Sequence, residues 1–214
     1  MYNLPHHKEQ NAQVIKAFMY KYPFAFLTGC DSENKPVSTQ VPVFMEDKEG
    51  RQILRGHIMK NTDHHKAFLH NEHVLVVFTG HNTYVSGTWY SNPYTPSTWN
   101  YMSVHAKGII RFLNDVELMD VLRVTTLHFE NHDSNSTTIF DNLPAEYTQK
   151  LMKAIVAFSI EITEIDTVFK LSQDRDVKSY EHIIAQLSKQ GENGKVIAVE
   201  MEKRTKEVFP DVKQ

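Results

Sequence analysis

Apolar residues recur at helical spacing in several segments of the chain. In residues 8–21, Val14, Ile15, Phe18 and Met19 share one face of a predicted helix, and Pro23 ends the run. The same period predicts further helices at 61–71, 115–130, 144–153, 176–190 and 194–209. Two starts have alternative N-caps, namely Asn61 or Thr62 and Asn114 or Asp115.

Alternating or continuous apolar runs between these helices predict β-strands. A hairpin is predicted from 24–30 and 35–45, a third strand at 51–59 after the turn at Asp47–Gly50, and a strand with a buried pattern at 73–80. Four more segments follow the strand pattern: the short 83–87, then 101–113, and a second predicted hairpin from 154–165 and 167–175. Six or seven strands with helices around them indicate one α+β domain, a barrel or strongly curved sheet with peripheral helices.

Composition narrows the class of protein. The 214 residues are 41% apolar and 11% aromatic, which is typical of a globular chain with a sizeable core. A net charge of −3 gives no basic field for nucleic acid or an anionic membrane. No apolar run approaches the ~20 residues of a membrane span, and the start lacks the pattern of a signal peptide. With Cys30 as the single cysteine, we expect a cytoplasmic protein.

Common catalytic and metal-binding motifs are missing from the sequence. The twelve histidines include the adjacent pairs His6–His7 and His64–His65, whose side chains diverge on a regular element. H-E-x-x-H, a nucleophile elbow, a Walker loop and G-x-G-x-x-G do not occur. We therefore predict no metal site and assign no catalytic residue.

Three stretches suggest ligand binding when taken together. In 54–61, Arg55, His57 and Lys60 lie beside a helix start, as a phosphate site requires, although a polar strand end explains this stretch better when it is taken alone. In 83–90, the alternation predicts that Tyr84, Ser86, Thr88 and Tyr90 share one face. Such a face either stacks on a planar ring and bonds its edge or belongs to an ordinary amphipathic strand. In 169–175, Lys170, Ser172 and Asp174 share one side, which a solvated strand end also explains.

The aromatic stretch TYVSGTWYSNPYTPSTWNY, residues 83–101, holds both tryptophans and four of the nine tyrosines among loop-forming residues. Such a loop either packs against another surface of the same protein or forms a wall for a planar ligand.

These motifs together resemble one family. The start MY-L-P-H, TYVSGTWY, TPSTWNYMSVHAKG, AIVAFSIEI and FKLSQDR occur in the order and at the spacing of PaiB-type proteins, over residues 1 to about 187. The resemblance implies an FMN-binding split β-barrel with peripheral helices, related to pyridoxamine phosphate oxidases and flavin reductases. It also implies a homodimer with FMN sites at the subunit interface and the label of negative transcriptional regulator.

Carried over by position, the resemblance implies three groups of cofactor-binding residues. They are the corner Gly56, His57, Met59, Lys60 and Asn61; the wall Ser86, Trp89, Tyr90, Trp99, Asn100 and His105; and the carboxyl-side group Lys170, Ser172, Gln173 and Arg175. This chain departs from the family pattern at Gly87, where proline is frequent, and at Asp174, where asparagine is frequent. We expect the glycine to loosen the wall and the carboxylate to pair with Arg175.

Three functions remain open at this point. The first is a flavoprotein with redox-active FMN, which would make it an FMN-dependent oxidoreductase. In this hypothesis Lys170 or Arg175 stabilises the reduced ring. The second is a regulator acting through a protein or DNA partner, although the charge disfavours direct DNA contact. The third is haem chemistry, for which no histidine stands out as an axial ligand.

Overall fold

The computed structural model describes residues 2–210. Its seven strands are β1 Phe24–Cys30, β2 Pro36–Pro42, β3 Phe44–Lys48, β4 Arg51–Met59, β5 His73–Val85, β6 Thr98–Phe112 and β7 Ile155–Lys170. Its six α-helices are α1 Ala12–Lys21, α2 Asp63–His70, α3 Asp115–Phe129, α4 Ala145–Met152, α5 Val177–Leu187 and α6 Glu192–Val208. Strands and helices alternate irregularly along the chain, which makes the α+β class.

The strands form one seven-stranded sheet in the order β2-β1-β5-β6-β7-β4-β3. The pairs β1–β2, β1–β5, β3–β4 and β4–β7 are antiparallel. The β3–β4 hairpin turns at Glu49 and Gly50, whose φ angles of 53° and 77° suit a tight two-residue turn. The turn predicted at Asp47–Gly50 is therefore confirmed.

Strand boundaries differ from several of the predicted ones, and three of the differences change a strand's extent or pairing. The hairpin predicted across 154–175 is wrong because β7 runs unbroken to Lys170. Asp166 is the one turn-favouring residue in Ile165-Asp166-Thr167, and neither glycine nor proline interrupts the strand there. β5 likewise continues to Val85 instead of ending at 80. The predicted strand 35–45 is divided at Val43, whose amide donates to Pro23 O at 2.8 Å.

Local capping decides where the helices begin. Thr62 caps α2 by accepting from the His65 amide. Asn114 caps α3 in a capping box with Glu117. α1 begins at Ala12 and not at residue 8, because Asn11 Oδ1 accepts from the Gln13 amide at 2.9 Å and ends the extended segment.

The chain divides into two compact units. We call the first the terminal unit: the residues up to Ile15, Thr79–Val104 and the residues from Asp166 onward. The second, the central unit, comprises Lys16–Phe78 and His105–Ile165. In the terminal unit, α5 and α6 pack together around the fully buried residues Tyr180, Ile183, Leu187 and Ile197. The core of the central unit includes the fully buried Leu27, Leu54, Leu118, Phe158 and Ile160. Among residues 2–210, no helix is both long and apolar enough to span a bilayer.

Candidate functional site

The predicted cofactor residues are divided between the two units. The corner residues from Gly56 to Asn61 belong to the central unit, and so does His105, which lies half-buried on β6. The remaining nine belong to the terminal unit: Ser86, Trp89, Tyr90, Trp99, Asn100, Lys170, Ser172, Gln173 and Arg175. Each group is described within its own unit.

Backbone amides at the corner of the central unit already have partners. The Lys60 amide donates to Ala154 O at 2.9 Å, and the Asn61 amide donates to His65 Nδ1 at 3.2 Å. The His64 amide donates to Asp63 Oδ1 at 2.8 Å. Asp63 also places a negative charge in the first turn of α2. These amides are therefore satisfied within the chain, and the Lys60 side chain is the cation that this corner offers to an anion.

Other corner side chains have separate environments. His57 is half-buried, its Nδ1 has no hydrogen-bond partner among residues 2–210, and burial lowers its pKa. A Cβ at Gly56 would lie 2.7 Å from the Phe158 ring and 2.8 Å from Pro42 O, so packing of the sheet explains this glycine. Arg55 Nε lies 2.9 Å from Glu46 Oε1 as an ion pair, although the geometry is outside that of a hydrogen bond.

The first part of the aromatic loop is not an alternating strand. β5 ends at Val85, and a 3₁₀ turn follows at Gly87–Trp89, where Ser86 Oγ accepts from the Thr88 amide at 3.3 Å. The predicted common face is therefore wrong: Tyr84 is 47% exposed, whereas Tyr90 is 8% exposed. A serine cap shifts the chain out of strand register at this point, which the alternation in the sequence does not reveal.

Gly87 lies against the returning part of the same loop. Its amide donates to Ser97 Oγ at 2.9 Å, and a Cβ there would lie 2.5 Å from Thr95 O. The glycine thus allows close packing of two loop segments.

Two aromatic side chains of this loop remain open to solvent and contact each other. The rings of Tyr84 and Trp99 lie 6.0 Å apart in an edge-to-face arrangement, and Trp99 is 54% exposed. Both line a cavity of about 520 Å³ that also involves the Gln190–Gly194 segment. An exposed edge-to-face pair offers ring surface for a planar ligand.

Lys170 ends β7 beside Trp99. Its Nζ donates to Trp99 O at 2.8 Å and to Thr98 Oγ1, and the Tyr2 ring lies 6.0 Å away. Burial lowers the pKa of Lys170, the charge of Asp174 opposes that shift, and the charge of Arg175 adds a smaller decrease.

Ser172 and Asn100 are buried and bonded to each other. Ser172 Oγ donates to Asn100 Oδ1 at 3.0 Å, and Asn100 Nδ2 lies 3.5 Å from Met201 Sδ. Ser172 and Asn100 are 2% and 0% exposed. Gln173 bends back on its own turn, since its Oε1 accepts from the Leu171 amide at 2.7 Å. These three side chains form hydrogen bonds within the protein, so their contacts shape the turn.

Arg175 lies over the ring of Tyr90, with its guanidinium carbon 4.8 Å from the ring centroid. Its Nη2 is 3.3 Å from Asp174 Oδ2, as expected for the carboxylate at that position. Arg175 Nε and the Tyr90 hydroxyl are buried and lack a hydrogen-bond partner among residues 2–210. Burial also raises the pKa of Tyr90, so its hydroxyl stays protonated. Two unsatisfied donors therefore lie close together.

Sequence reasoning missed His7 in this region. His7 is 2% exposed, and its Nδ1 lies 3.1 Å from Gln173 Oε1. Its nearest sequence signal is the MY-L-P-H start, which ends at His6, and no spacing links residue 7 to residue 173.

These terminal-unit groups fit a planar anion. Lys170 and Arg175 supply positive charge, and the Tyr84–Trp99 pair supplies ring surface. The Tyr90 hydroxyl and Arg175 Nε are buried donors that an acceptor of the ligand would pair with. A phosphorylated flavin has a planar ring, carbonyl oxygens that accept hydrogen bonds and a negatively charged phosphate, and so it has all three complementary features.

Comparisons with known proteins identify the family of the chain. Residues 1–164 match the family model described as "Putative FMN-binding domain". The Bacillus subtilis (strain 168) protein named Protease synthase and sporulation protein PAI 2 is 31% identical over 207 residues, covering 96% of this chain and 99% of its own length. An uncharacterized protein of Emericella nidulans is 24% identical over 238 residues, covering 92% of this chain and 95% of its own length.

Solved structures match the fold at low identity. The FAD and heme binding protein of Mycobacterium smegmatis has a TM-score of 0.54 at 15% identity, covering 77% of this chain and 73% of its own. The flavocytochrome Anf3 of Azotobacter vinelandii has a TM-score of 0.53 at 17% identity, covering 79% and 72%. This likeness concerns the fold alone, and it confirms the predicted split-barrel class.

Proposed function

The chain belongs to the flavin-binding family whose model it matches over residues 1–164, and we propose that FMN is its flavin and that the terminal unit contacts it. On this proposal the protein is a flavoprotein with a redox role. When bound, FMN accepts or donates a hydride by its own chemistry, and the protein supplies positioning and charge.

One observation carries the proposal. Arg175 Nε and the Tyr90 hydroxyl are buried donors without hydrogen-bond partners among the described residues. They lie close together because the Arg175 guanidinium stacks on the Tyr90 ring. An unsatisfied buried donor costs about 1–3 kcal/mol. A ligand with two acceptor oxygens would offset that cost, which supports an anionic or carbonyl edge at this position.

Each side chain has a separate role in this proposal. Arg175 and Tyr90 donate to the ligand, and the Lys170 ammonium stabilises negative charge that develops on the reduced ring. Tyr84 and Trp99 contribute ring surface. Asn100, Ser172 and Gln173 hold the turn in place without touching the ligand.

We also propose a homodimer with the flavin sites at the subunit interface. Tyr94 and Trp99 are 93% and 54% exposed, and interfaces are enriched in such aromatic side chains. Light scattering on the purified protein tests this proposal, and a monomer at micromolar concentration would contradict it.

Absorption spectroscopy tests the main proposal. The visible spectrum is recorded before and after addition of excess FMN and desalting. We expect flavin retained in stoichiometric amount by the wild-type chain and by Arg111→Ala, an exposed arginine on β6 outside the candidate site. Arg175→Ala is expected to retain less.

A wild-type chain that retains no flavin would overturn the proposal. The alternative, a regulator acting through a protein or DNA partner with FMN as ligand or absent, would then be examined by binding assays at physiological salt. A Soret band would instead indicate haem.

A further inference from the structure

We infer that His7 is a positioning residue for this site: its ring holds Gln173, and Gln173 holds the turn that carries Lys170 and Arg175. The inference rests on the proposed function only in so far as the positioned cations bind FMN. The first of its two tests needs FMN, and the second is made without it.

Hydrogen bonds of Gln173 determine how its amide is oriented. Its Nε2 donates to Phe169 O at 2.5 Å, and its Oε1 accepts from the Leu171 amide at 2.7 Å. Reversing the amide would place an NH₂ group against the Leu171 N–H and an oxygen against the Phe169 carbonyl. Both contacts would be repulsive, so the atom that faces His7 is an oxygen.

The orientation of this amide fixes the tautomer of His7. Gln173 Oε1 can only accept, and His7 Nδ1 lies 3.1 Å from it. His7 Nδ1 therefore carries a proton and donates it to Gln173. His7 thus adds a third hydrogen bond to a side chain that otherwise bonds only to its own turn.

The turn that Gln173 closes has a backbone conformation that needs support. Ser172 has a φ of 61°, in the left-handed region that a non-glycine residue seldom adopts. The Arg175 amide donates to Ser172 O at 3.1 Å and closes the turn. Lys170 and Arg175 flank these residues, so the conformation at 171–174 determines where both cations lie.

His7 is itself firmly held. It lies in the 3₁₀ turn Pro5–His7, and the next two residues are fastened to β7 and α6. Lys8 pairs with Asp166 at 2.5 Å, and the Glu9 amide donates to Thr167 Oγ1 at 2.9 Å. Glu9 also pairs with Arg204 at 2.7 Å, where both side chains are largely buried. A buried and anchored ring is able to restrain the turn that follows β7.

Matched substitutions at position 7 test the inference. His7→Asn keeps an N–H donor close to the Nδ1 position, whereas His7→Leu keeps an apolar side chain of similar reach and removes the donor. We expect His7→Leu to raise the dissociation constant for FMN about fivefold to tenfold, corresponding to one net hydrogen bond. His7→Asn should remain within about twofold of wild type.

The readout is quenching of FMN fluorescence by folded protein, well below the unfolding temperature. Gln173→Leu and the double variant complete a mutant cycle, and the double variant should bind no more weakly than Gln173→Leu alone. Additive losses, or wild-type affinity in His7→Leu, would overturn the inference while leaving FMN binding intact.

Tryptic cleavage after Arg175 provides the test without FMN. If His7 holds the turn, His7→Leu should be cut there several-fold faster than wild type or His7→Asn, with cleavage after the exposed Lys178 unchanged. Equal cleavage after Arg175 in all three proteins would contradict the positioning role. Absence of FMN binding in wild type, by contrast, would contradict only the proposed function.

Discussion

The corner at 56–61 and the turn at 170–175 carry similar sequence signals but differ in how their polar atoms are used. Both place lysine and other polar residues where a strand ends. At the corner, the amides of Lys60, Asn61 and His64 are bonded within the chain. Of the predicted corner residues, His57 has a buried nitrogen, Nδ1, without a hydrogen-bond partner among residues 2–210. At the turn, Arg175 Nε lies unpaired beside an equally unpaired Tyr90 hydroxyl and a cation.

This difference shows which features point to a ligand. A cation near a strand end is common and inexpensive in free energy when it is solvated. Buried donors without partners are rare in folded proteins, and each one requires an explanation. The turn has two such donors within one stacked pair, so it is the stronger candidate for an anion.

The largest effect should follow removal of Arg175. Because a charge-assisted hydrogen bond contributes about 1.5–3 kcal/mol, Arg175→Ala should weaken FMN binding by roughly ten- to hundredfold. Fluorescence titration measures the effect, with Arg111→Ala as the matched control. If the two variants bound FMN with equal affinity, Arg175 would contribute no more to FMN binding than an exposed arginine outside the site.

Substitutions of the neighbouring residues Asn100 and Trp99 should have different effects, the first on stability and the second on FMN binding. Asn100→Ala leaves buried Ser172 Oγ without its acceptor, so we expect the free energy of unfolding to fall by about 1–3 kcal/mol. Trp99→Ala removes an exposed ring, so stability should change by less than about 0.5 kcal/mol while FMN binding weakens. Urea unfolding and FMN titration of both variants check this. The reverse pattern would mean that the buried pair, and not the exposed ring, contacts the ligand.

Lys60→Ala tests the corner directly. Because the amides of Lys60, Asn61 and His64 are already bonded within the chain, we expect a loss of FMN affinity smaller than that of Arg175→Ala, about 0.5–1.5 kcal/mol. Lys66→Ala, an exposed lysine on α2, is the control. A loss as large as that of Arg175→Ala would assign the phosphate to the corner.

The smallest expected effect concerns pH. Burial lowers the pKa of His57 in the folded chain, so the unfolded chain binds the proton more readily. This contribution to stability is complete above the unfolded pKa of about 6.5 and declines as pH falls below it. Urea midpoints at pH 7.5 and 5.5 should therefore differ less in His57→Gln than in wild type. An unchanged difference would show that other histidines with lowered pKa values, such as His7 and His65, cause the acid sensitivity.

Local elements were largely predictable from the sequence. The helices were recognised from their period, and Thr62 and Asn114 were each one of two proposed caps. The alternation in 101–113 corresponds to a strand in which Met102, Val104, Ala106 and Gly108 are all buried. The resemblance identified the family and the fold class, because its motifs extend over most of the chain.

Individual site residues were less predictable. Tyr84 and Tyr90 were placed on one face, yet a serine-capped 3₁₀ turn separates an exposed ring from a buried one. His7 is distant in sequence from the residue that it contacts, so no local pattern includes it. The cofactor roles of all fifteen residues stay predictions, and the experiments above distinguish those that bind from those that shape the turn.

By itself, the sequence determined the positions of the helices and most of the strands, the likeness to a flavin-binding family and the absence of a strong basic charge. Those properties depend on spacing and composition, which act over a few residues or over the whole chain. Only the tertiary structure decided that Gln173 and Ser172 are satisfied by the chain and that Arg175 Nε and the Tyr90 hydroxyl are not. Some of these partners lie far away in sequence, as Asn100 does from Ser172 and His7 from Gln173, and folding alone brings such groups together.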